Sequence, residues 1–282
     1  MTNFLLQNFA TINGLGATSG LIFLDDNLFL IGDNSGFLFK YNIETKNLFK
    51  FPILENAINN IEKKDKPDFE SITLKNNKLH IFGSGSTKKR DLKVIFDLET
   101  NNFEDKDLSN FYGKLKQNSE FDNSDLNIEG AFYQNDNLYL FNRGNGDTSL
   151  NGIFIYNKEF DNVIFKKFAL PIINNVEASF TDAIFLDYKI YFLACAENTS
   201  NTYDDGEIYG SVLGIIDFET FEITSTIQIT NHQKFEGLTL YSQSETEINF
   251  LLCEDNDTEE LVSNIYQLTI NFQLISNKTI KK

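Results

Sequence analysis

Residues 128–142 have the sequence Ile-Glu-Gly-Ala-Phe-Tyr-Gln-Asn-Asp-Asn-Leu-Tyr-Leu-Phe-Asn. An apolar strand with an acid at its start, a polar turn and a second apolar strand form a β-hairpin pattern. The phrase that opens this stretch occurs five times, in copies that lie 51, 59, 53 and 54 residues apart. The copies are Thr18-Ser19-Gly20-Leu21, Phe69-Glu70-Ser71-Ile72, Ile128-Glu129-Gly130-Ala131, Thr181-Asp182-Ala183-Ile184 and Phe235-Glu236-Gly237-Leu238. A period of this size indicates a repeat protein.

The end of the second strand sets the register of the copies. Thirteen residues after Ser19, Glu70, Glu129 and Asp182 come Gly32, Gly83, Asn142 and Cys195. This spacing assigns the fourth acid to Asp182 rather than to Glu177. The fifth copy has the same second strand, Ile248–Leu252, after a longer turn.

Each copy opens a unit of short strands separated by turns, without long helical periodicity. Four-stranded units that repeat every 40–60 residues or so are typical of β-propeller blades. Because one blade cannot bury both faces of its sheet, neighbouring blades must pack around a common axis. We therefore predict an all-β protein, with a single β-propeller domain over residues 1–282 and five four-stranded blades. Six blades are the alternative, but the strands for a sixth blade are not found.

Several segments lie outside this repeating pattern. Asn3–Phe9 resembles one more outer strand and could close the ring by pairing with the last blade, in which Phe272–Ile280 is the predicted fourth strand. Leu54–Lys64 has helical spacing and stops before Pro67, and Ser109–Gln117 is a second possible short helix. Both helices would lie on the face that carries the acids.

Composition excludes several classes of partner. The chain has 282 residues, of which 41% are hydrophobic, a net charge of −17 and a pI of about 4.5. A large negative field disfavours nucleic acids and anionic membranes. Met1–Leu15 has no signal-peptide pattern, and no apolar run approaches the ~18 residues of a membrane span. We expect a cytoplasmic monomer in which Cys195 and Cys253 are small buried hydrophobes.

The repeated acids predict a site at one mouth of the channel. The first strand of a blade is innermost, so Glu70, Glu129, Asp182 and Glu236 should converge there, with Ser19 as the odd member. Carboxylates this close repel one another, and some must bind a proton unless a cation neutralises them. We predict these four acids as ligands of a divalent cation, Ca²⁺ or possibly Mg²⁺. The alternative is that they accept hydrogen bonds from the backbone of the adjacent blade.

The loops that follow the second strands share this face and are polar. Their candidate ligand-binding residues are Asp33, Ser84, Arg143, Glu197 and Glu254. A basic group beside a cation-filled centre suits a small anionic ligand such as a phosphate or carboxylate. Tyr203–Ser211 is the longest of these loops and could cover the mouth. His232, shortly before Glu236, is the one histidine placed to act as a catalytic base.

Several phrases resemble an uncharacterised bacterial propeller family of unknown function. They include Lys66-Pro67-Asp68-Phe69-Glu70, Gly83-Ser84-Gly85-Ser86-Thr87, Asn127-Ile128-Glu129-Gly130-Ala131, Arg143-Gly144-Asn145-Gly146, Ser179-Phe180-Thr181-Asp182-Ala183 and Phe235-Glu236-Gly237-Leu238. More distantly, the Glu-Gly-Leu first strands are similar to phytase-like and SdiA-regulated calcium propellers. That second resemblance implies calcium at the mouth and, in those enzymes, hydrolysis of a phosphoester or lactone. This chain departs from them in blade count and in the rest of their ligand set, so the resemblance does not carry catalysis over.

Two functions follow from these patterns. The first is a divalent-cation site that also takes a small anionic ligand, with metal-assisted hydrolysis as an extension. The alternative is a non-catalytic propeller that binds a ligand or a protein. Whether the protein is an enzyme is left open by the sequence.

Overall fold

A computed structural model describes residues 3–118, 121, 126–145, 150–199, 206–256 and 260–271. Five four-stranded antiparallel sheets form a five-bladed β-propeller, which confirms the predicted fold class and blade number. Within the described residues, no helix has the length and apolar composition needed to cross a membrane.

The strands follow the repeats in chain order, after an initial strand β1 (Phe4–Asn13). Blade 1 contains β2 (Gly20–Leu24), β3 (Asn27–Ile31), β4 (Phe37–Asn42) and β5 (Leu48–Pro52). Blade 2 contains β6 (Phe69–Lys75), β7 (Lys78–Gly83), β8 (Leu92–Asp97) and β9 (Phe103–Asp107). Blade 3 contains β10 (Ile128–Gln134), β11 (Asn137–Asn142), β12 (Gly152–Asn157) and β13 (Asn162–Lys167).

A small hairpin of β14 (Ile172–Ile173) and β15 (Val176–Glu177) connects blades 3 and 4. Blade 4 contains β16 (Ser179–Leu186), β17 (Lys189–Asn198), β18 (Glu207–Asp217) and β19 (Ile223–Gln228). Blade 5 contains β20 (Lys234–Gln243), β21 (Glu247–Asp255) and β22 (Val262–Asn271).

The ring is closed by β1. This strand is antiparallel to β22 and supplies the fourth strand of blade 5. The closure expected of Asn3–Phe9 is therefore present, and the strand continues to Asn13. The predicted strand Phe272–Ile280 lies outside the described residues.

The hydrophobic core lies between the blades. Five buried clusters each combine residues of two neighbouring blades, one cluster for each contact in the ring. The five inner strands β2, β6, β10, β16 and β20 also contact one another in a closed circle. Cys195 and Cys253 are free and buried, as expected. This packing places the starts of all five inner strands around one end of the axis.

The two predicted helices have different outcomes. Ser109–Lys116 forms helix α1, whose Tyr112 hydroxyl donates a 2.7 Å hydrogen bond to the carbonyl oxygen of Gly83. The segment Leu54–Lys64 contains turns and bends, so that prediction was wrong. Its backbone forms hydrogen bonds with the loop after β3 instead. The Ile58 carbonyl oxygen accepts from the Gly36 amide, and the Ile61 amide donates to the Asn34 carbonyl oxygen.

Candidate metal centre at the channel mouth

A β-bulge marks the start of four of the inner strands. In blade 2 the pairing moves from Phe69 opposite Gly83 to Ser71 opposite Phe82, which leaves Glu70 as the extra residue. The same shift isolates Glu129 in blade 3 and Glu236 in blade 5. A bulge releases one residue from the ladder and can redirect its side chain. Glu70, Glu129 and Glu236 therefore all occupy the bulged position of their strands.

Blade 4 departs from the sequence register. Phe180 pairs with Ala194 and Asp182 pairs with Leu193, so the bulged residue is Thr181 and not Asp182. The register follows the buried Phe180, which corresponds to Phe69 in blade 2. Counting back from Cys195 misses this position because β17 continues to Asn198 and Cys195 does not mark its end. Assigning Asp182 to the position of the other acids was wrong by one residue.

The side chains of blade 4 bond to the neighbouring blade. One Asp182 oxygen accepts from the Ala183 amide and the other from the Leu238 amide of blade 5, each at 2.7 Å. Burial raises the pKa of Asp182 well above its ordinary value, although these two hydrogen bonds oppose the rise. The Thr181 hydroxyl donates to the Phe235 carbonyl oxygen at 2.7 Å. Asp182 thus has the backbone-bonding role that the sequence left as the alternative.

Replacing Asp182 by alanine should lower the free energy of unfolding by about 1–3 kcal/mol, because the buried Leu238 amide loses its acceptor. Asp105→Ala, on the exposed outer strand β9, is the matched control and should change stability by less than ~0.5 kcal/mol. Denaturant unfolding of both variants measures the difference. Equal stability of the two variants would exclude a structural role for Asp182.

Glu129 and Glu236 share a buried arginine. Arg143 Nη1 lies 3.4 Å from a Glu129 oxygen and 3.5 Å from a Glu236 oxygen, and Nη2 forms an ion pair with Glu197. Burial by itself lowers the pKa of Arg143, but the three carboxylates outweigh it and raise that pKa well above its ordinary value. This arrangement joins acids of blades 3, 4 and 5.

Lys234 extends this network. Its ammonium lies 2.9 Å from Glu236 and 2.9 Å from Asp255. Burial raises the pKa of Glu236 well above its ordinary value, and Lys234 opposes that rise. Glu129 also accepts a 2.8 Å hydrogen bond from Asn127. Both glutamates are therefore provided with partners inside the protein.

A second group of charges lies beside blade 2. Lys66 Nζ contacts Asp33 and lies 2.7 Å from Asp68 Oδ1. The other Asp68 oxygen accepts from Arg90 Nη1 at 2.8 Å and from the Ser84 hydroxyl at 2.5 Å. Burial raises the pKa of Asp33, and Lys66 opposes that rise. Asp68 is thus bonded on both oxygens.

Glu70 differs from the other acids of the mouth. Its side chain belongs to a residue that is only 9% exposed, yet no hydrogen bond or ion pair to its carboxylate occurs within the part of the chain that the structure describes. One of its oxygens lies within 4.8 Å of an oxygen of Asp33 and an oxygen of Asp68. Burial, followed by the nearby charges of Glu129 and Asp68, raises the pKa of Glu70 well above its ordinary value.

These three acids can meet the geometric needs of an ion. Calcium–oxygen distances are about 2.3–2.6 Å, so oxygens separated by up to 4.8 Å can reach one cation. Among the described residues, no other group of His, Cys, Asp and Glu side chains comes together in this way.

A family model matches residues 14–270. The chain belongs to the Family of unknown function (DUF6929). Among curated proteins, none matches this chain.

Three solved structures are similar to this DUF6929 chain, and one of them has a TM-score above 0.5. The glutaminyl cyclase of Myxococcus xanthus is 12% identical, over 94% of this chain and 97% of that one, with a TM-score of 0.54. A luciferin-regenerating enzyme is 7% identical, over 94% of this chain and 95% of that one, with a TM-score of 0.49. A chain of a nidogen/laminin complex is 9% identical, over 84% of this chain and 74% of that one, with a TM-score of 0.45. At 12% identity the likeness to the glutaminyl cyclase concerns the fold alone.

The remaining predicted residues of this DUF6929 chain are spread over the same face. Ser84 is buried and bonded to Asp68, and half-buried Glu254 accepts a 2.9 Å hydrogen bond from the Tyr266 hydroxyl. His232 is exposed, and its backbone amide donates to the Thr230 hydroxyl. Its role as a base stays a prediction. Within the loop Tyr203–Ser211, positions 203–205 lie outside the described residues.

Sequence reasoning missed the polar position two residues before the bulge. The residues there are Asp68, Asn127, Ser179 and Lys234 in blades 2 to 5. Each one contacts a charged group of the mouth: Asp68 binds Arg90, Asn127 binds Glu129, Ser179 accepts from Arg143, and Lys234 binds Glu236. The signal in the sequence is the recurrence of a polar residue at this position in all four copies.

Proposed function

We propose that the mouth of this propeller binds a divalent cation, Ca²⁺ first of all, through Glu70, Asp33 and Asp68. The Glu70 carboxylate, which is nine-tenths buried and forms no hydrogen bond or close ion pair with any described residue, is the observation that carries this proposal. An ionised carboxylate buried without a partner is costly, so it binds either a proton or a cation. Two further acids within 4.8 Å favour the cation.

The charge balance of the mouth supports this proposal. Four basic groups face the acids, namely Lys66, Arg90, Arg143 and Lys234. Seven carboxylates surround them: Asp33, Asp68, Glu70, Glu129, Glu197, Glu236 and Asp255. Among these groups three negative charges remain in excess when all are ionised. A divalent cation would offset most of that excess.

Calcium fits the donors better than a transition metal does. The three side chains offer oxygen only, in an irregular arrangement, and calcium accepts six to eight oxygens without strict geometry. Three protein ligands would leave positions for water and for an oxygen of a bound molecule. Because Arg90, Arg143 and Lys234 are already paired with carboxylates, a small anionic ligand would be held mainly through the cation.

Hydrolysis of a phosphoester or lactone is the extension of this proposal. A bound divalent cation lowers the pKa of water and polarises a phosphoryl or carbonyl oxygen. Screening p-nitrophenyl phosphate and a set of lactones with and without Ca²⁺ tests it. Turnover that is retained in excess EDTA would contradict a metal-assisted reaction.

We expect Ca²⁺ to raise the melting temperature of the protein and Glu70→Gln to abolish that rise. A ligand present at 100 times its Kd stabilises the native state by about 2.7 kcal/mol. In EDTA, Glu70→Gln should be at least as stable as the parent, because it removes a buried charge that neighbouring acids repel. Isothermal titration and thermal melting, with EDTA and then with Ca²⁺ or Mg²⁺, measure both effects.

Glu219→Gln is the matched control, since it makes the same charge change at an exposed turn. It should keep the full response to Ca²⁺. The proposal fails if millimolar Ca²⁺ leaves the parent unchanged, or if Glu70→Gln responds as the parent does. In that case the acids would be a structural network, and a non-catalytic binding propeller would be the better assignment.

A further inference from the structure

The Lys66 ammonium bonds two of the three acids that form the candidate cation site. It contacts Asp33 and is 2.7 Å from Asp68 Oδ1, and those two residues belong to the trio whose oxygens lie within 4.8 Å of one another. An ion held by Asp33 and Asp68 would have to share these two carboxylates with Lys66 or take its place.

Lys66 does not form an ion pair with Glu70, the third acid of the group. Glu70 is nine-tenths buried, and its carboxylate makes no ion pair with Lys66 or any other residue in the described ranges. Lys66 forms close ion pairs with two of the three carboxylates, whereas its attraction to Glu70 acts over a longer distance. A divalent ion could contact all three.

We infer that Lys66 is the residue that makes this site selective for divalent over monovalent cations. Exchanging an ammonium for Na⁺ or K⁺ leaves the number of positive charges at the acids unchanged, while two ion pairs are broken. Exchanging it for a divalent ion adds one charge and supplies Glu70 with a partner. Lys66 thus acts as a tethered cation that only a divalent ion displaces. This inference rests on the proposed cation site.

The test compares Lys66→Met with Lys64→Met. Lys64 lies two residues away in an exposed pair with Glu62, so its substitution makes the same change in net charge without contact to the trio. Titrations with Ca²⁺ and with Na⁺ should be done at constant ionic strength in tetramethylammonium chloride, which separates binding from screening. Lys66→Arg keeps the charge and serves as a second comparison.

We expect Lys66→Met to bind Ca²⁺ about ten-fold more tightly than the parent or tighter still. Na⁺ should raise the melting temperature of this variant only, whereas Lys64→Met and Lys66→Arg should behave as the parent does. If Lys66→Met is unfolded without a cation, refolding on addition of Na⁺ or Ca²⁺ gives the same information.

The outcomes separate this inference from the proposed function. If the parent binds Ca²⁺ and Lys66→Met binds it equally or more weakly, or still ignores Na⁺, the selectivity role is wrong while the cation site stands. If neither protein binds Ca²⁺, both proposals fall. If only Lys66→Met binds cations, both proposals are wrong. Lys66 would then be the permanent counter-ion of Asp33 and Asp68 in the parent protein.

Discussion

Arg143→Met is expected to lower the free energy of unfolding by about 3–5 kcal/mol, the loss typical of breaking a buried ion pair from one side. The guanidinium contacts carboxylates of three different blades, through Glu129, Glu197 and Glu236. Methionine has a similar length, so it preserves most of the packing and removes the charge. Three buried carboxylates would then repel one another without their common partner.

The loss of unfolding free energy caused by Arg143→Met should increase with pH. Arg143 holds down the pKa values of Glu129 and Glu236, both of which burial already raises above 4.5, so its removal raises them further. A carboxyl whose pKa is higher in the folded state stabilises that state at low pH and ceases to do so as pH rises through the folded pKa. The difference in stability between the parent and Arg143→Met should therefore be smaller at pH 5 than at pH 8.

Urea unfolding at these two pH values measures both expectations. Lys106→Met is the matched control, because Lys106 forms an exposed pair with Glu104 that should contribute less than ~1 kcal/mol. A loss for Arg143→Met no greater than that of the control, or one that does not change with pH, would show that the mouth acids have other partners.

Ile12→Ala should destabilise the propeller by about 2–5 kcal/mol, because it removes a buried side chain at the closure of the ring. Ile12 is 2% exposed and belongs to the cluster between blades 5 and 1. Its strand β1 is the fourth strand of blade 5, so weakening it also frees the edge of β22. The whole ring depends on this contact.

Leu5→Ala in the same strand is the control. Leu5 is 54% exposed, so its truncation should cost less than ~1 kcal/mol. Thermal and denaturant unfolding of the two variants should differ clearly. Similar stabilities would mean that β1 contributes to the ring through its backbone pairing alone.

The blades could be predicted because each hairpin is encoded by residues that are close together in the sequence. A hairpin needs only alternating apolar residues and a turn, and both are visible in stretches such as Ile128–Asn142. The convergence of Glu70, Glu129 and Glu236 followed from repetition, since equivalent residues of a closed ring meet at one end of its axis. The strand that closes the ring was recognisable for the same reason, as an outer strand without a blade of its own.

The exact position of the fourth acid was not a local property. Spacing pointed to Asp182, but the burial of Phe180 between blades determines where the bulge falls, and it falls at Thr181. The link Leu54–Lys64 was likewise misread as a helix. Its backbone found partners in the loop after β3 that no pattern within the link could reveal.

By itself, the sequence determined the class of fold and the face on which acids collect, and it favoured five blades over six, because each depends on short patterns repeated along the chain. Only the tertiary structure decided which acid pairs with which base. Arg143 meets Glu236 across 93 residues, and Lys66 bonds Asp33 and Asp68, while Glu70 forms no close ion pair among the described residues. Charge pairing acts over distances of a few ångströms in space, and closing the ring is what brings these groups so near.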